Sequence, residues 1–170
     1  MKRLLLLVAC ACLSGRAAAQ AGSSVSADAV VVTTGMTIST LRDLNFGTVI
    51  KGVPSTILPT AANAGEWQVS GSANAFVVIS FTLPTQLANI QALPGSTMPI
   101  SFSAVSAIWR RSTNNPAGGN VFDPATGVVG RLGPPPNFTM YVWIGGTVNP
   151  PLAAKPGIYQ GNVIVSLIYQ

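Results

Sequence analysis

Only nine of the 170 residues are basic and four acidic, and there is no histidine. Both cysteines, Cys10 and Cys12, and three of the basic residues, Lys2, Arg3 and Arg16, fall within the first twenty positions. The remainder therefore lacks a histidine base, a thiol nucleophile and the usual zinc ligands, and its few cations are too scattered to bind a phosphate backbone.

The chain starts with the three-part pattern of an export signal. Met1-Lys2-Arg3 is a short basic start, "LLLLVACACL" an apolar run, and Ala17-Ala18-Ala19 a small-residue cleavage site. The apolar run is shorter than the ~20 residues that span a bilayer, so no membrane span is expected. Residues 1–19 are expected to be removed, with a cut after Ala21 as the alternative. A rival reading takes "LVAC" as a lipid-attachment signal with Cys10 as the modified N-terminus. On the first reading six basic residues face four acidic ones, a formal net charge of +2, and the exported chain has no disulfide. Packing and strand pairing alone must hold it together.

About 150 residues suffice for one domain that buries roughly 68–70% of its unfolded surface. No stretch after the signal shows apolar residues at helical spacing with charges opposite. Extended runs recur instead between turn signals. "VSADAVVVTTGMTIST" covers 25–40, "LNFGTVI" 44–50, "STIL" 55–58 and "EWQVSG" 66–71. "AFVVISFTLP" covers 75–84, "MPISFSAVSAIW" 98–109 and "FTMYVWIGG" 138–146, and a last run starts at Gly157. Seven or eight short strands at this spacing predict an all-β, single-domain antiparallel β-sandwich. The apolar runs at 75–84 and 138–144 predict central strands covered on both faces.

Residues 110–137, with five Gly and five Pro, interrupt this rhythm. Two readings stay open: a surface connection with a small hairpin at Val128-Val129, or a binding loop that uses Trp109, Arg110, Arg111 and Phe122. Trp67, Trp109 and Trp143 could stack sugars or fill the core; the apolar neighbours of Trp143 favour core, and Trp109 is the best candidate for exposure. The four carboxylates, Asp28, Asp43, Glu66 and Asp123, are spread along the chain and suggest no catalytic pair. No phosphate-binding glycine loop is present. The expected protein is not an enzyme and carries no cofactor or metal.

The terminal run alternates. Tyr159, Gly161, Val163, Val165, Leu167 and Tyr169 form one face, expected to point at the core. The opposite face turns apolar at Ile164 and Ile168, so its end is expected to be covered too.

A penultimate aromatic (Tyr169), alternating apolar residues before it and a glycine fourteen places from the end (Gly157) resemble the C-terminal pattern of chaperone–usher pilus subunits. "LNFGTV" at 44–49 and "IGGTVNPPLAAKPGIYQGNVIVSLIYQ" at 144–170 are similar to an uncharacterised bacterial family of secreted, cysteine-poor proteins, akin to spore-coat-U-type and archaic pilin domains. Archaic pilins usually carry a disulfide, and this chain departs from them there. The resemblance implies an immunoglobulin-like, pilin-like sandwich over residues 36–170 that lacks its last strand. It also implies passage through the periplasm to the cell surface with the help of a chaperone and usher, and self-association or association with other pilin-like subunits. Residues 20–35 would then be an N-terminal extension that supplies the missing strand to a neighbour. Its knobs would be Val30, Val32, Met36 and Ile38, or, in the opposite phase, Val25, Ala27, Ala29 and Val31. The competing reading is a self-complete secreted binding module, with glycans as the candidate ligand, that uses the 110–137 loop.

Overall fold

The computed structural model describes residues 35–90 and 96–170. The expected signal, Cys10, Val30 and Val32 lie outside them. Thirteen strands and no helix make up the described residues. In the first sheet β1 (Thr37–Arg42), β3 (Gly65–Ser70), β10 (Thr139–Ile144), β7 (Ala107–Arg111) and β8 (Asn120–Phe122) lie side by side in that order. The second sheet runs β12 (Tyr159–Gln160), β5 (Gln86–Asn89), β6 (Thr97–Ser101), β11 (Gly146–Val148), β2 (Ser55–Ile57). A third has only β13 (Ile164–Tyr169), β4 (Phe76–Thr82) and β9 (Val128–Arg131). Eight of the ten recorded pairings join strands that are not consecutive in the chain, and every one is antiparallel. The domain is an all-β antiparallel sandwich.

Alternation along each strand builds the main core. Val69 of β3, Met140 and Val142 of β10, Ala107 of β7 and Phe122 of β8 meet Val77 and Ile79 of β4 across the sandwich. A smaller cluster of Met98, Ile100 and Val148 forms on the second sheet. β10 is the centre of its sheet, and Trp143 and Ile144 are buried as well, so its end is covered on both faces. β4 is central too, but only one face is covered: Phe76 is 51% and Val78 36% exposed. Ile164 and Ile168, expected to be covered, lie exposed on the same outer face. The third sheet is one side of a two-layer sandwich, and no described element packs outside it.

Several predicted runs divide where the chain changes sheets. Residues 98–109 split into β6 and β7 at a turn in which Ser106 N–H donates to Ser103 O at 3.0 Å and Ser103 N–H to Ser106 Oγ at 2.8 Å. The run at 138–146 breaks at Gly145, where a Cβ would collide with the Ile57 carbonyl, and continues as β11 in the second sheet. β5 was not predicted. Residues 44–50, predicted as a strand, form none. The hairpin predicted at Val128-Val129 does not form: β8 turns back on β7 as a hairpin in the first sheet, and β9 joins β4 in the third.

Candidate functional site

The C-terminal run lies along residues 76–89 as one ladder with a break. β13 pairs with β4 from Ile164 opposite Thr82 to Tyr169 opposite Val77, and β12 pairs with β5 at Tyr159 opposite Asn89. In the break, Gly161 lies against β5: a Cβ there would sit 2.7 Å from Leu87 Cδ2 and 3.3 Å from Gln86 O, so a side chain would have to displace the Leu87 side chain. Ser72 N–H donates to Tyr169 Oη at 2.9 Å and anchors the strand end to the far side of the sandwich.

The other edge of this ladder is open. Among the described residues no strand pairs with β12 or β13 on that side, and β1 pairs with β3 alone. Burial follows the same division. Val77 and Ile79 of β4 are completely buried, whereas Val163, Val165, Leu167 and Tyr169 are only partly covered. Ile38 pairs with Val69 and so shares its inner face, yet it is 43% exposed. Among the described residues, the core is closed where β4 flanks it and open between β1 and β13.

At the lower end of this opening lies a cleft of about 980 Å³. Residues 43–49 and Lys51 form one wall, and residues 154–164 form the other. Trp67, Leu87, Met98, Ile100 and Val148 make an apolar floor. The first wall has the sequence of a strand but no strand to pair with. From Phe46 to Lys51 no backbone N–H has a backbone acceptor among the described residues; Gly47 N–H donates instead to Asn45 Oδ1 at 2.8 Å. Such a cleft has free main-chain donors along a wall and apolar pockets below, the two features that bind an extended peptide as an added strand.

The charged residues sort by whether they are engaged. Arg42 is paired with the buried Glu66. Arg110 donates to the Asn115 and Ala117 carbonyls, and Arg111 to Leu132 O and Asn74 Oδ1. Arg131 donates to Asn74 O at 3.0 Å and lies over the Phe76 ring. Asp123 accepts from Ala125 N–H at 2.8 Å. Lys51, Lys155 and Asp43, which have no such partner among the described residues, all line the cleft. Tyr159, in the same wall, bonds to Ser96 and donates to Lys155 O. Its hydroxyl is held below the ordinary phenol range, chiefly by the Ser96 bond and further by the Lys51 charge. No group of three or more potential metal ligands occurs among the described residues.

The predicted site residues fall into two groups. Gly157, Tyr159 and Val163 line the cleft, while Val165, Leu167 and Tyr169 continue from it along the open edge. Met36 packs on the core and Ile38 belongs to β1, so both are part of this chain's own domain rather than of a free extension. The loop set does not form a ligand surface. Phe122 is a core residue stacked on Phe81, Trp109 packs on the same core, and both arginines are spent on closing loops. The sugar platform dissolves for the same reason: Trp67 packs against Phe81 with ring centroids 5.8 Å apart, and Trp143 is buried. Sequence reasoning missed Leu87 and did not place Lys51 and Lys155 in one cleft. Each lysine stands beside a turn signal, in "KGVP" and "KPG", which marks an exposed cation but not a shared cleft.

Trp109 Nε1 is buried without a hydrogen-bond partner. An orphaned donor costs about 1–3 kcal/mol, so Trp109→Phe, which keeps an aromatic ring and removes the N–H, is expected to leave stability unchanged or raise it by about 1 kcal/mol. Urea denaturation of the two chains checks this.

Residues 36–169 match a family model described as a domain of unknown function, DUF4402. No curated protein matches the chain.

Proposed function

The chain belongs to the DUF4402 family, and from that premise we propose that it is a non-enzymatic, exported surface subunit that assembles by β-strand addition. The cleft accepts an extended segment from another copy, or from a related subunit, and residues 20–35 of each copy supply such a segment to the next. The observation that carries this reading is the coincidence of three features at one place. Among the described residues, the ladder edge of β12 and β13 is open, the strand-like wall at 44–50 has no strand partner, and the floor between them is apolar. An added strand would satisfy the wall's main-chain groups and cover the partly exposed core series in one step. The secreted, fimbrial setting rests on the basic–apolar–small signal pattern and on the resemblance of the C-terminal motif.

The test compares the chain from Gln20 with one from Met36 by size-exclusion chromatography at several concentrations. The longer chain is expected to form multimers that persist as a ladder on an unboiled denaturing gel, and the shorter chain to elute as a monomer. A longer chain that stays monomeric at every concentration overturns the reading.

A further inference from the structure

Charge provides a way to choose between the two phases of the donated strand. Among the described residues, four of the six basic side chains are engaged by carboxylate, carbonyl or amide oxygens. The remaining two, Lys51 and Lys155, line the cleft, with Asp43 as the only acidic residue there. The cleft therefore has one surplus positive charge. Residues 20–35, "QAGSSVSADAVVVTTG", contain a single charged side chain, Asp28.

We infer that Asp28 of a second copy seats against Lys51 and Lys155, and that this contact sets the phase of the added strand; the inference rests on the strand-addition reading above. In an extended strand, side chains two apart share a face. An Asp28 that points into the cleft therefore turns Val30 and Val32 into it as well, over the apolar floor of Leu87, Met98 and Val148. The opposite phase presents Val25, Ala27, Ala29 and Val31 to the floor. It leaves the Asp28 carboxylate facing solvent and the surplus positive charge of the cleft unmatched. The amino terminus left by cleavage after Ala19 does not cancel the effect, because eight residues of extended chain, about 26 Å, separate it from Asp28. A one-residue slip would exchange all the inward side chains, so a single charged contact is enough to discriminate between the phases.

The experiment uses the mature chain from Gln20 and reads association by size-exclusion chromatography with light scattering over a concentration series. Asp28→Lys alone, and Lys51→Glu with Lys155→Glu, are each expected to weaken association about tenfold or more, because like charges then meet in the cleft. The triple exchange is expected to recover association to within about threefold of the wild type, since opposite charges face each other again. If the wild type multimerises and neither exchange weakens it, or the triple exchange recovers nothing, the charge contact is overturned while strand addition stands. A monomeric wild type overturns strand addition and this inference with it. A second measurement identifies the occupant: Asp28→Cys with Lys51→Cys is expected to give disulfide-linked dimers and higher species under oxidation. Cross-linking within one chain only would overturn the assignment to a second copy.

Discussion

If the chain assembles by strand addition as proposed, Leu87→Arg is expected to abolish assembly while leaving the domain folded. Leu87 sits in β5 on the floor of the cleft, opposite Met98, and it is only partly buried in the isolated chain. A guanidinium there can lay its stem on the floor and keep its charge in water, so the folding cost stays below about 1 kcal/mol. An added strand removes that water. A charge trapped under the strand, in place of an apolar contact at the centre of the interface, costs about 2–4 kcal/mol, which weakens association by roughly 30- to 1,000-fold. Size-exclusion chromatography reads the loss and urea denaturation the retained fold. A variant that assembles like the wild type would show that the floor is not where the partner binds. Leu87→Glu, which also meets the incoming Asp28 with a like charge in the same cleft, is expected to harm assembly at least as much.

Trp143→Ala is expected to produce the opposite pattern, a loss of fold that takes function with it. Trp143 is 2% exposed, in the strand at the centre of the five-stranded sheet, and stacks on Tyr141 with ring centroids 6.0 Å apart. Its neighbour across the strands is Glu66, whose carboxylate is buried with only Arg42 to pair with. Truncation removes a large apolar surface, leaves a cavity beside a buried charge, and costs about 3–5 kcal/mol. Against a typical total of about 5–15 kcal/mol, in a domain that has no disulfide to limit the unfolded chain, that loss leaves little margin. The denaturation midpoint should fall well below that of the wild type. A shift equivalent to under about 1 kcal/mol would mean that Trp143 is not part of the core.

Strand identity was legible because it is a local property. The inward face of the last strand followed from alternation alone: Val165, Leu167 and Tyr169 do pack on the core, and Ile164 and Ile168 point away. Coverage of that second face was misjudged, because alternation says which way a side chain points and not whether anything lies there. The same limit applies to 44–50, where β-branched and aromatic residues predict a strand but, among the described residues, only Asn45 N–H finds a backbone acceptor across from it, at Asn63 O. Phe122 and Trp109 looked available for a ligand because they sit in or beside a Gly- and Pro-rich stretch. β8 turns back on β7 locally, but their burial also needs β4 and β9 of the third sheet to pack across from them, and that pairing joins distant segments.

By itself, then, the sequence determined an all-β antiparallel fold without a disulfide, the positions of most strands, and the inward face of the terminal one. These depend on two-residue periodicity, turn residues and composition, all of which act over a few positions. Tertiary structure alone decided where the strands change sheets and which edges stay open. It also brought Lys51 and Lys155, 104 positions apart, into one cleft. Each of these depends on pairing between distant segments, where a glycine such as Gly145 or Gly161 matters through the neighbour it lets come close. The terminal run "GIYQGNVIVSLIYQ" shows both levels: its alternation is written locally, and its unpaired edge exists only because residues 76–89 occupy the other side.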